Sequence, residues 1–197
     1  MARRSKADAE KTRERLLEVA TRLYGERGYS DTSIADICAE LDITKGALFH
    51  HFKSKVELFR EVWTRLQVEM DSEARAAAIA ARSLTDPYAA FMAGSRTYLK
   101  YVARKDFQQI VLIDGPYVLG LRGWYESDHD LGIQNVTAGV RYLSKKGLVA
   151  PENVEPIAIM LQSALNGAGF ALLRGDDDGA SSEDFYKAFE TLVKSLR

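Results

Sequence analysis

Residues 33–52 (SIADICAELDITKGALFHHF) constrain this chain more than any other stretch, because they read as two short helices joined by a tight turn. Ser33, with Asp36 three residues on, forms a capping box. Ile34, Ile37, Cys38 and Leu41 then recur at helical spacing and make one apolar stripe. Asp42 and Ile43 form the turn, and Thr44 opens a second helix in which Leu48 and Phe52 share the inward side. The opposite side carries Lys45, Gly46, Ala47, Phe49 and His50.

An ordinary surface helix of this length carries charges and long polar chains. This one offers a cation at the positive end of the helix, a residue with no side chain, a methyl, a ring and an imidazole. The set suits close approach to a phosphate-lined groove. Thr44, Lys45 and the free N–H groups of the first turn can meet phosphates or base edges, and Gly46 removes bulk that would hold the helix off a duplex. The ring and imidazole can contact thymine methyls, sugars or phosphates. The competing reading is a helical hairpin whose small residues pack on another protein surface.

The residues around this stretch add an ordered set. An amphipathic helix ends at Gly28-Tyr29, followed by Thr32-Ser33-Ile34, the turn, Lys45-Gly46-Ala47-Leu48, a close on Phe49-His50-His51-Phe52, and Lys53-Ser54-Lys55 before a long helix. The whole run, 12–62, resembles the DNA-binding region of the TetR family of bacterial transcriptional regulators and covers about the first third of the chain. The resemblance implies that 44–50 enter a major groove with Lys45 and Gly46 nearest the bases. Thr32, Ser33, His51, Lys53 and Lys55 would then hold phosphates. Phe49 stands where such proteins often carry Tyr and lacks the hydroxyl that could reach a phosphate. His50 replaces a frequent aromatic.

With 197 residues, 46% of them hydrophobic, the chain can bury a real core. Only four residues are Pro, and apolar positions recur at three and four rather than two, so the expected fold is all-α with about nine helices. A helix-turn-helix domain over 1–53 precedes a larger helical bundle over 54–197. The net charge of −1 argues against a general polyanion binder. Residues 1–60 hold twelve Lys and Arg against ten Asp and Glu, so affinity for DNA must come from well-placed cations and paired heads. Cys38, the one cysteine, falls on an apolar stripe and reads as a buried structural thiol; no internal disulfide is available, which fits a reducing compartment. The start, MARRSKADAEKTRERL, has cations without an apolar run behind them, unlike a secretory signal. No segment reads as the roughly 20 apolar residues of a membrane span. A cytoplasmic protein is expected.

In chain order, a basic arm (Arg3, Arg4, Lys6) leads into a helix over 7–27 with Gly28 as its stop. Ser54 and Glu57 cap a long helix over 55–82, whose body (Leu58, Phe59, Val62, Leu66, Met70) runs from the head into the rest of the protein and offers a lever. Thr85-Asp86-Pro87 starts another helix, reaching 104. A short helix over 106–113 should break at Asp114-Gly115-Pro116, and the next should run over 117–146 with a bend near 128–132. Pro151 and Pro156 bracket the entry to a helix whose centre, 163–169, is rich in small residues. After a polar loop at 174–180, Ser181 and Asp184 cap the last helix.

Two faces remain ambiguous from residues alone. Met160, Leu161, Ala164, Leu165 and Ala168, with Phe185, Phe189, Leu192, Val193 and Leu196, form broad apolar faces that suit either a dimer surface or burial within the monomer. The family resemblance implies a four-helix dimer interface there. The aromatic and methionine content of 66–166 suits either a solid core or a cavity. Resemblance implies a small effector among the central helices, with Met70, Phe91, Ser95, Tyr98, Leu112, Tyr117, Leu121, Trp124 and Tyr125 as lining candidates. Ser95, Tyr98 or Tyr125 could orient such a ligand, and Asp114 or Asp128 could attract a cation. Asp128-His129-Asp130 lacks helical ligand spacing, and GAGF at 167–170 lacks the Lys-Ser/Thr ending of a phosphate loop, so no enzyme, metal or cofactor is expected. The resulting expectation is a homodimeric repressor, bound to a palindromic double-stranded operator and released by a small apolar or aromatic effector. The alternative is a DNA-binding regulator with a filled core, constitutive or controlled by a protein partner.

Overall fold

The structure, a computed structural model, describes residues 6–174 and 179–196, with side chains described throughout except at 121 and 125–131. Arg3 and Arg4 of the basic arm and the centre of the 174–180 loop therefore lie outside the described residues. Among those described, the chain is helical without strands. By packing it forms two compact units: Met1–Leu66 with Lys105–Leu121, and Gln67–Arg104 with Arg122–Arg197. The division at 53–54 read from the sequence is one of role, whereas these units reflect which residues touch.

The first unit is built on α1 (Lys6–Arg27), whose Leu16, Leu17, Ala20, Leu23 and Tyr24 are buried. Buried in the same unit are Ile37 and Cys38 of α2 (Ile34–Leu41), Leu48 of α3 (Lys45–His51), Phe52, and Leu58, Phe59, Val62 and Trp63 from the start of α4 (Lys55–Ala80). Burying each large side chain contributes about 1.5–3 kcal/mol before ordering costs. Burial also raises the pKa of the Cys38 thiol, against a smaller opposing effect of Lys45, as suits an inert core residue. Ser33 Oγ accepts the Asp36 N–H at 3.1 Å while the Asp36 carboxylate accepts the Ser33 N–H at 2.7 Å. These bonds hold the Asp36 pKa below its ordinary value. Asp42 ends α2 in the left-handed region at φ 52°, a conformation Asp tolerates better than most residues.

Gly28 ends α1 at φ +80°, its N–H donating to the Tyr24 carbonyl at 2.9 Å. A side chain there would be strained and would meet Gln109 Nε2 at 3.0 Å.

The segment that closes this unit departs from expectation. Asp114-Gly115-Pro116 does not break the chain: α6 (Lys105–Phe107) passes into a π-helical turn (Gln108–Asp114) and then α7 (Gly115–Leu119). Pro116 sits in the first turn of α7. The break falls instead at Gly120, at φ +76°. The segment 105–119 belongs to the first unit, where α6 and the π turn pack on α1.

The second unit holds the rest of α4 with α5 (Ala89–Val102), α8 (Leu121–Lys145), α9 (Val154–Leu173) and α10 (Ser182–Lys194). Helical hydrogen bonding in α8 runs through 128–132, where a bend was expected. α5 packs on α9 and α10, which also pack on each other. Arg96 of α5 reaches Glu183 at 2.8 Å and lies 3.7 Å over the Tyr186 ring. Tyr101 donates to Glu69 at 2.9 Å, tying α5 to α4. Contrary to the sequence reading, Pro151–Leu173 is long and apolar enough to cross a membrane, yet only a third of its most apolar window is buried. Its apolarity has a local cause: one face, with Ala158, Leu161, Leu165 and Ala168, is core, and the other displays Ile159, Met160 and Phe170.

Two outcomes test these local arguments. Gly28→Ala should lower unfolding stability by about 1–2 kcal/mol, the cost of a left-handed non-glycine residue; chemical denaturation giving an unchanged midpoint would contradict this. Because the folded-state pKa of Asp36 is depressed, its contribution is present above the unfolded pKa and disappears as pH falls through the folded one. Ser33→Ala should therefore melt below wild type at pH 7, and the gap should narrow below about pH 4. A gap constant from pH 7 to pH 2 would contradict the capping geometry.

Candidate DNA interface and effector cavity

The orientation of α3 follows from two anchors. Leu48 and Phe52 have no exposed surface, so the opposite side of the helix faces out: Lys45, Gly46 and His50 are exposed, Phe49 is 47% exposed, and Ala47 is half-buried. Thr44 caps the helix, its hydroxyl oxygen accepting the Ala47 N–H at 3.2 Å. A Cβ placed on Gly46 would meet only Thr44 Oγ1, at 3.8 Å. The bare front edge is thus not required by packing within the chain. Lys53 is exposed just after α3, and its backbone N–H donates to Glu57 at 2.7 Å.

The flanking positions divide. Ser33 is exposed at the α2 N-terminus and His51 is half-buried. Thr32 is fully buried, with its hydroxyl 2.9 Å from the Gly28 carbonyl and 3.2 Å from that of Leu23. Its side chain braces the turn and does not face a phosphate as expected. Lys55 is also turned inward: its ammonium donates to the Tyr29 carbonyl and lies 3.9 Å over the Tyr29 ring. Burial lowers its pKa, with Asp114, Asp31 and Asp36 pulling the other way. Sequence reading missed the ion pair of Arg22 with Glu40, 2.7 Å apart, that joins α1 to α2; on an exposed surface such a pair is worth at most about 1 kcal/mol.

In the second unit a cavity of about 620 Å³ opens among α4, α5, α8, α9 and the loop over 81–88. Ala74, Ala78, Gly94, Gly132 and Gly139 are the short residues of its wall. Of the expected lining residues, Met70, Phe91, Ser95 and Tyr98 are in its wall. Leu112 and Tyr117 are not: both belong to the other unit, Leu112 buried and Tyr117 75% exposed. Trp124 is buried with its ring 6.3 Å from that of Phe170, outside the wall. The side chains of Leu121, Tyr125 and Asp128 lie outside the described residues.

Two polar groupings went unforeseen. Tyr98 donates to Asn166 Oδ1 at 2.5 Å, and Gln162 Nε2 donates to the same oxygen at 3.0 Å. Asp71 accepts from Asn135 and pairs with Arg75 at 3.1 Å. Ser95, expected to orient a ligand, donates to the Phe91 carbonyl of its own helix at 2.9 Å. Asp114, one of two carboxylates expected to attract a cation, accepts the Tyr29 N–H at 2.7 Å in the first unit and is not in the cavity wall. An apolar chamber with a few convergent polar groups can enclose a small molecule and orient it.

Comparison with known proteins agrees with both halves. Residues 16–62 match the family of bacterial regulatory proteins called the tetR family, and residues 88–196 match the tetracyclin repressor-like C-terminal domain. The chain is 44% identical over 63 residues to the HTH-type transcriptional regulator AcrR of Shigella flexneri, covering 32% of this chain and 29% of that one. It is 38% identical over 76 residues to the HTH-type transcriptional regulator TtgR of Pseudomonas putida, covering 39% and 36%. The matched stretches thus span well under half of these relatives. A crystal structure of a TetR-family transcriptional regulator from Pectobacterium atrosepticum is 30% identical with a TM-score of 0.77, covering 98% of this chain and 97% of that one. With the C-terminal match alone taking in more than half of its residues, the chain belongs to the TetR family of transcriptional regulators.

Proposed function

We propose that the chain is a cytoplasmic, homodimeric repressor that binds a palindromic operator and leaves it when a small apolar or aromatic molecule enters the cavity. The observation that carries the DNA reading is the outward front of α3, with Lys45, Gly46, Phe49 and His50 exposed above the buried Leu48 and Phe52. The head, 1–53, places 44–50 in a major groove. Lys45 and the first-turn N–H groups meet base edges and phosphates, Phe49 and His50 lie along the groove wall, and Ser33, His51 and Lys53 hold the backbone. A twofold dimer then reads half-sites about one helical turn, or a multiple, apart.

Dimerisation is supported by what the monomer leaves uncovered in the region 54–197. On α9 and α10, Leu161, Leu165, Ala168, Phe189 and Val193 are used in the chain's own core, while Met160 is 71% exposed, Leu192 52%, and Ala164 is exposed. Phe185 and Leu196 are half-buried at the rim. A Cβ on Gly167 would meet nothing within 4 Å, so packing within the chain does not offset the roughly 1 kcal/mol a mid-helix glycine costs. Close approach of a second copy does.

The cavity supports ligand control over the filled-core alternative. α4 carries both Lys55, against Tyr29, and the lining residues Met70, Ala74 and Ala78, so a ligand that reshapes the cavity acts on the helix that enters the head. Carrying the heads from one spacing to the other, from 1:99 to 99:1, requires the ligand to favour one state by about 5.5 kcal/mol.

Lys45→Ala should weaken binding to a duplex selected with the wild-type protein by at least about tenfold without shifting its melting temperature; wild-type affinity in fluorescence anisotropy would contradict the docking. Met160→Asp should give monomers in analytical ultracentrifugation, since a carboxylate at the interface centre is buried without a partner. A persistent dimer would move the interface elsewhere.

A further inference from the structure

Asp114 is a carboxylate buried in the DNA-binding unit, far in sequence from every residue that faces DNA. It is 7% exposed and its Oδ2 accepts two hydrogen bonds, from the Tyr29 backbone N–H at 2.7 Å and from Gln109 Nε2 at 3.1 Å. Burying a carboxylate is costly unless it is hydrogen-bonded and opposed by positive charge. The charge here is Lys55, which Asp114 helps to keep protonated and which itself holds the Tyr29 carbonyl. Both sides of one residue, Tyr29, are thus clamped: the N–H by Asp114 and the carbonyl by Lys55. Tyr29 follows the Gly28 stop of α1 and precedes Thr32, whose buried hydroxyl fixes the approach to α2. The direction in which α2 and α3 leave α1 is therefore set at this turn.

We infer that Asp114 is a positioning residue for operator recognition: through the Tyr29 amide it holds the turn that aims α2 and α3. The inference rests on the DNA reading of α3. Asp114 lies at the C-terminal end of the π turn, in the segment 105–119, which packs on α1.

The test uses full-length wild type, Asp114→Ala and Asp114→Asn, all at a temperature where circular dichroism shows each fully folded. Two duplexes of equal length serve as probes, one selected with the wild-type protein and one of mixed sequence. Asp114→Ala should lose tenfold or more in affinity for the selected duplex and stay within twofold on the mixed one. Asp114→Asn, whose amide oxygen still accepts the Tyr29 N–H, should remain within threefold on both. Hydrogen exchange in the free proteins should quicken over 28–33 in the Ala variant and not in the Asn variant. Should Asp114→Ala fail to fold, Asp114→Ser replaces it, since its hydroxyl stops short of Tyr29, and the same losses are expected. Equal loss on both duplexes, wild-type affinity in the Ala variant, or equal weakness of the Ala and Asn variants would overturn the inference. A wild-type protein with no preference for its selected duplex would instead overturn the DNA reading itself.

Discussion

The burial of Leu48 and Phe52 is the constraint from which the rest follows. Four residues apart on and just after a helix of seven residues, they leave only one rotation about its axis that satisfies both. That rotation turns Lys45, Gly46, Phe49 and His50 to solvent. The head thereby presents a cationic, sterically bare edge without any residue of that edge having to stabilise the fold. The outward residues can therefore be exchanged without disturbing these anchors.

This division of labour explains why the head was legible in the sequence. Capping at Ser33 and Thr44, the left-handed Asp42 and the stop at Gly28 are local signals, each decided within four residues, and each appears in the structure where the spacing put it. What the sequence hid is non-local. Thr32 and Lys55 look like surface phosphate ligands until their partners, carbonyls of Gly28 and Tyr29, are known. The Asp-Gly-Pro triplet at 114–116 looks like a break because Gly and Pro punctuate turns; Asp114 instead accepts from a backbone N–H 85 residues away. Leu112 and Tyr117, expected in the cavity wall, belong with Asp114 to the first unit.

The cavity shows the converse lesson. Aromatic content pointed to Phe91 and Tyr98, and both are in the wall. The wall glycines mark close packing instead: a Cβ on Gly139 would lie 2.3 Å from the Phe91 ring, and a Cβ on Gly94 would lie 3.3 Å from the Ala74 carbonyl. Glycines and alanines in helices are poor sequence markers of a pocket, since they serve equally for close packing. The same ambiguity runs through α9: its small centre packs on α5 with one face, and with the other, open at Gly167, leaves room for a second helix.

The central claim is that the outward front of α3 is the surface that meets DNA. Backbone hydrogen exchange of the full-length protein, free and bound to a duplex selected with it, tests this most directly. The account expects slowing concentrated over 44–50 and at Lys53, with the α9 and α10 amides of a preformed dimer unchanged. Slowing that spares 44–50 and falls elsewhere on the head would contradict it.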